Sequence, residues 1–149
     1  MPDILHRISI DAPPAAVHDL IASTDGIARW WTGREVEGDS RVGGEFSVYF
    51  GDAARPAASM QTLADQADEI AWRVVGGPDS WVGTVITFAL RPSNADGTTL
   101  LFTHAGWEQA SEFMSGCSTN WGAYLTSLKH GAEGAGFHPH PEGEISRWD

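Results

Sequence analysis

ASEFMSGCSTNWGAYLTSLKHGA, residues 110–132, is the stretch that decides the fold. Ala110, Phe113, Met114, Cys117, Trp121, Tyr124, Leu125, Leu128 and Ala132 recur at three- and four-residue steps, the spacing of one apolar stripe on a helix. Ser115-Gly116 interrupts the stripe and predicts a kink or a late helix start. Gly134 and Gly136 are natural stop signals. Beyond them, residues 135–149 read as an extended tail laid over the body, tacked down by Phe137 and Trp148.

Working back from that helix, the periodicity is two. Ile4, His6, Ile8 and Ile10 alternate with Leu5, Arg7 and Ser9, which predicts a half-buried strand. Asp11-Ala12-Pro13-Pro14 starts a short helix with the stripe Val17, Leu20 and Ile21, since proline costs nothing in a first turn. Thr24 is placed to cap a second short helix ending at Trp30-Trp31. Strand signals then dominate: a brief Glu35–Glu37, Glu45–Phe50 after the Gly43-Gly44 pair, Ala58–Ala64, Ile70–Val75, Trp81–Leu90 and Thr98–Ala105. Strands this close together, with no helical pattern between them, predict an antiparallel sheet.

The inferred architecture is α+β: a curved antiparallel sheet of about six to seven strands, with two short helices after the first strand, packed on the one long helix. A single domain spans residues 1–149, with its core at about 4–134. A bent sheet roofed by a straight helix leaves concave apolar space, the usual place for a ligand.

Composition narrows the function classes. Nine basic against twenty acidic side chains give a net charge of −11, which repels phosphate backbones and anionic lipid and argues against nucleic acid and membrane. No stretch approaches the roughly 20 apolar residues of a membrane span. Residues 1–4 show neither a basic region nor an apolar run of a signal peptide, so a cytoplasmic location is expected. Cys117 is the only cysteine, which rules out an internal disulfide.

Asp11-Ala12-Pro13-Pro14 with Val17, Ala28-Arg29-Trp30-Trp31 and Gly43-Gly44-Glu45-Phe46 resemble the START-related SRPBCC superfamily, whose fold is the helix grip. Thr103-His104-Ala105-Gly106 and Asn120–Lys129 are similar to its branch named for the activator of heat-shock-protein ATPase, some of whose members are called polyketide-cyclase-like. The resemblance runs from about residue 4 to residue 134. It implies a scaffold shared by binders, cyclases and chaperone partners, so function must be argued from the site.

Seven tryptophans are more than a small core requires. Trp30, Trp31, Phe46, Met60, Trp72, Trp81, Phe102, His104, Met114, Cys117, Trp121 and Tyr124 are the candidate ligand-binding residues, for a small apolar or aromatic molecule. His104 is the candidate catalytic residue: alternation puts it with Leu100 and Phe102, where it either reaches a cavity as acid or base or is satisfied by a polar neighbour. Glu45 and Glu108 are the nearest carboxylates in reading distance of it. His138-Pro139-His140 lacks a third ligand, so no metal is expected. No GxGxxG or Gly-Lys-Ser/Thr occurs, so no cofactor is expected, and Cys117 falls on the core stripe rather than in a nucleophile elbow.

Three functions follow in order. A binding module comes first, because no paired acid–base constellation is legible. A cyclase- or hydratase-type enzyme using His104 comes second, and a chaperone-partner domain third. Exposed sheet edges leave room for a homodimer.

Overall fold

The first strand, β1 (Ile4–Ile10), ends beside the last, β7 (Thr98–Ala105), pairing Ile4 with His104 and Ile10 with Thr98. Between them, a computed structural model describing residues 1–148 has α1 (Pro14–Ala22), α2 (Thr24–Ile27), β2 (Glu37–Gly38), β3 (Glu45–Val48), β4 (Ala58–Gln66), β5 (Glu69–Gly76) and β6 (Val85–Pro92). All neighbours in the sheet are antiparallel, in the order β1-β7-β6-β5-β4-β3-β2. The last helix, α3 (Glu112–Ala132), lies across this curved surface.

Side-chain alternation decides which face goes inward. On β7, Leu100, Phe102 and His104 are buried while Leu101 is exposed, as a period of two requires. The β4–β5 ladder slips between Thr62 and Ala64, leaving Leu63 as an extra, exposed residue. Such a bulge bends its strand and helps the sheet curl around α3. The hairpin loop between these strands is only Ala67-Asp68, tighter than the gap left between the expected strands Ala58–Ala64 and Ile70–Val75.

Several local details depart from the expected ones. Ser23, not Thr24, caps α2, its hydroxyl accepting from Gly26 N at 3.0 Å. Trp81 lies in a turn rather than on β6, which starts at Val85. The turn closes because Pro78 O accepts from both Trp81 N and Val82 N. Nor does α3 break at Ser115-Gly116. Ser111 caps it by accepting from Met114 N at 3.1 Å, and burial of the downstream stripe outweighs the poor propensity of one glycine.

Directly after α2, Ala28–Thr32 widens into a single π-type turn, closed by Gly33 N donating to Ala28 O at 2.8 Å. Trp30 and Trp31, adjacent in sequence, are both buried there, with rings stacked 5.8 Å apart. Trp72 also stacks with Trp31, at 6.2 Å and 4°, and Phe46 and Phe88 meet Trp72 edge-on. This aromatic block fills the centre of the space between sheet and helix. Phe102 closes it against Trp121 of α3 at 4.7 Å.

Candidate functional site

With its centre filled, the hollow sits at the mouth of the grip and holds about 230 Å³. Five pieces of chain wall it. Trp31 comes from the π-type turn, Phe50, Ala53, Arg55 and Ala57 from the β3–β4 loop, and Trp81 from the β5–β6 turn. From α3 come Cys117, Asn120, Trp121 and Tyr124, whose i, i+3, i+4, i+7 spacing puts them on one helix face. Glu144 and Trp148 of the C-terminal tail complete the lining.

Asn120 holds that tail in place. Its side-chain carbonyl accepts from Ile145 N and Ser146 N, both at 2.9 Å, and its amide donates to Ser146 O at 2.7 Å. Upstream, His138 N donates to Ser127 Oγ at 2.7 Å and His140 N to Trp31 O at 2.8 Å. Gly143 is needed where the tail turns over Tyr124, since a Cβ there would stand 2.8 Å from the ring and 2.6 Å from His138 O. Trp148 packs edge-on against both Trp81 and Phe113. The expected anchors Phe137 and Trp148 are both engaged: the Arg29 guanidinium lies 4.8 Å from the Phe137 ring centre.

Polar groups around the hollow are few. Burial, reinforced by the Glu144 carboxylate, pushes the Tyr124 hydroxyl well above the ordinary phenol range. Burial also pushes the Cys117 thiol up to about 11, against a smaller opposing pull from Trp81, so it is an inert side chain at neutral pH. The Trp81 indole N–H is buried, with the Cys117 sulfur beside it and no well-formed hydrogen bond among the described residues. Glu144 makes no side-chain hydrogen bond among the described residues; His140 Nδ1 lies 3.9 Å from its carboxylate.

His104 lies behind this lining, not in it. It is fully buried, and both ring nitrogens are engaged. Trp121 Nε1 donates to Nδ1 at 3.1 Å, and Nε2 meets Thr84 Oγ1 at 2.8 Å. Thr84 in turn donates to Trp81 O. Burial drags the imidazole down to about 3. A neutral ring with no free nitrogen and no contact with the hollow is a structural hydrogen-bond hub. Glu45 and Glu108 are both exposed, and neither bonds it.

Of the candidate ligand-binding residues, Trp31, Trp81, Cys117, Trp121 and Tyr124 line the hollow. Trp30, Phe46, Met60, Trp72 and Phe102 do not; each is at most 1% exposed and belongs to the central packing. Met114 lies over a separate recess beside Ile4 and Ser111. Helix and strand periodicity finds the inward face but not how far along it the packing stops, hence the surplus. Phe50, Glu144 and Trp148 were missed because loop and tail residues carry no periodic signal, and Asn120 because it is polar. Asn120 alone gave a hint, as an amide beside Trp121 at the edge of an apolar stripe. His138 and His140 have separate partners: His138 Nδ1 bonds Glu142 at 2.6 Å, while His140 packs on Phe50 at 5.0 Å.

Comparison with known proteins agrees with this architecture. The profile of the family described as Activator of Hsp90 ATPase homolog 1-like protein matches residues 11–133. The Aha1 dimer from Colwellia psychrerythraea superposes with a TM-score of 0.79 at 30% identity, covering 91% of this chain and 98% of that one. CalU16 from Micromonospora echinospora does so with a TM-score of 0.68 at 26% identity, covering 95% and 78%. PFC0360w, an HSP90 activator from Plasmodium falciparum, shares the fold with a TM-score of 0.71 at 15% identity, covering 89% and 96%. Comparison with curated proteins finds no match.

Proposed function

We propose, for a chain that belongs to the Activator of Hsp90 ATPase homolog 1-like family, that it binds a small apolar or aromatic molecule in the hollow under its C-terminal tail. The supporting observation is the lining: six aromatic rings, from Trp31, Phe50, Trp81, Trp121, Tyr124 and Trp148, converge on one partly open space. Packing alone gives no reason to leave such a space unfilled, because interiors close to crystal density. At about 230 Å³ it lies below the roughly 300–1,000 Å³ of drug-sized sites, so the ligand is compact. The Tyr124 hydroxyl and the Trp81 N–H are the groups that would orient its polar atom. An acid–base role for His104 has no support in this geometry, which leaves binding ahead of turnover.

Tryptophan fluorescence and calorimetry with small aromatics such as indole or toluene test the reading. The Ala57→Trp variant, which fills the hollow from its rim, is the control. Saturable binding by the wild type, lost in the variant with the fold retained, supports the proposal. Equal behaviour of the two proteins overturns it.

A second reading places a protein partner on the outer face of the sheet. Leu5 and Leu101, on adjacent strands, are 69% and 37% exposed there, and the Colwellia relative is described as a dimer. A second copy of the chain or an Hsp90-type ATPase fits that face. Light scattering of the wild type and of Leu101→Glu, with and without the ATPase, tests both.

A further inference from the structure

Resting on the reading of the hollow as a ligand site, we infer that its ligand is a hydrophobic ammonium ion, quaternary or tertiary, held by ring faces and by the Glu144 carboxylate. An aromatic face carries negative potential, and a cation within about 6 Å of a ring centre is drawn to it, most strongly when water is excluded. The hollow is lined by six aromatic rings and few competing donors.

Glu144 decides the charge. Its side chain is only 29% exposed, it lines the hollow, and it lacks a hydrogen bond among the described residues. A neutral ligand entering the hollow would strip water from this carboxylate and put nothing in its place, an unfavourable exchange. A cation removes the same water and supplies an opposite charge. An anion would meet the carboxylate and the negative ring faces together. The chain's net charge of −11 works the same way at longer range, raising the local concentration of cations.

Two basic groups stand near. Arg55 lines the rim, but it lies on the exposed β3–β4 loop with no ion pair among the described residues, so solvent screens it. His140 Nδ1 lies 3.9 Å from the Glu144 carboxylate, beyond hydrogen-bond distance, and its ring packs on Phe50.

Three probes of similar size decide the matter: benzyltrimethylammonium, its neutral carbon isostere neopentylbenzene, and the anion benzenesulfonate. Each is titrated calorimetrically into wild type, Glu144→Gln and Arg55→Gln. Benzyltrimethylammonium is expected to bind the wild type at least tenfold more tightly than the isostere. Glu144→Gln should erase that preference by weakening the cation and easing entry of neopentylbenzene, and Arg55→Gln should not weaken the cation. Equal binding of cation and isostere overturns the ammonium inference while the apolar-ligand reading stands. Tightest binding by benzenesulfonate, lost in Arg55→Gln, overturns it in favour of an anion. Failure of all three probes to bind removes both.

Discussion

Trp121 donates its indole N–H to His104 Nδ1 across 3.1 Å, and this bond fixes where the imidazole proton sits. An indole nitrogen can only donate, so Nδ1 must be the bare nitrogen and Nε2 must carry the hydrogen. Nε2–H then donates to Thr84 Oγ1, whose own proton goes to Trp81 O. The chain of donors runs one way from α3 through β7 to the β5–β6 turn and leaves no site for a second proton on the ring. It also ties together two of the tryptophans that wall the hollow.

Acid should therefore cost this protein stability at an unusually high pH. His104 is neutral in the folded chain down to about 3, whereas the unfolded chain takes up a proton near 6.5. Between those values the unfolded state binds more protons, so stability falls as pH falls from about 6.5 towards 3, by an amount on the order of 4 kcal/mol. His18 runs the other way. Burial lowers its pKa, but hydrogen bonds to Asp19 and Asp65 and their charges more than reverse that, so its contribution is present below 6.5 and fades as pH rises through its folded value. Urea midpoints measured across this range for wild type and His104→Asn should show a shallower acid slope in the variant. An unchanged slope would exonerate His104.

The tail is expected to come loose from a single substitution. Asn120 makes three hydrogen bonds to backbone groups of Ile145 and Ser146, and alanine would abandon all of them. Asn120→Ala should cost about 1–3 kcal/mol and release Trp148 from Trp81. Amide exchange at Ile145 and Ser146 should speed up at least tenfold while that of β7 stays slow. Acrylamide quenching should rise with it. Equal loss of protection in the strands would mean that the variant loosens the whole domain, not the tail.

Periodicity carried the fold and stopped short of the site. Strand β7 and helix α3 were legible because each buries one face, so their residues repeat at two and at 3.6. Leu63 as a bulge was not, since an extra residue shows only against its partner strand. Trp81 read as strand because its neighbours Val82 and Val85 are β-branched, but Pro78 O captures its backbone N–H into a turn. Tail and helix meet through pairs 25 and 26 residues apart in sequence, and no local rule links Asn120 with Ile145 and Ser146. The aromatic wall was legible as composition, while its division into packing and lining depended on where Trp31 meets Trp72.

Cys117 reports on that tail. Its thiol is 2% exposed and burial raises it to about 11, so the native protein at about pH 8 should hold almost no thiolate. Ellman's reagent should react orders of magnitude more slowly with native protein than with protein in denaturant. Asn120→Ala, by lifting the tail off the hollow that Cys117 lines, should speed the native reaction markedly. Fast labelling of the wild type would contradict the burial.

Two glycines of α3 should respond to alanine with opposite signs. Gly122 has room: a Cβ would sit 3.5 Å from His6 Cε1, an ordinary contact. Gly122→Ala should therefore keep the propensity gain of up to about 1 kcal/mol. Gly131 has none, since a Cβ there would fall 1.9 Å from Phe137 Cε1. The ring cannot swing away without leaving the Arg29 guanidinium, so Gly131→Ala should lower the melting temperature despite the better helix former. Adding Phe137→Ala removes the obstacle, and the pair should be less damaging together than the sum of the two alone, a coupling between neighbours that thermal melts of the four proteins would measure. Strict additivity would place Phe137 elsewhere than over Gly131.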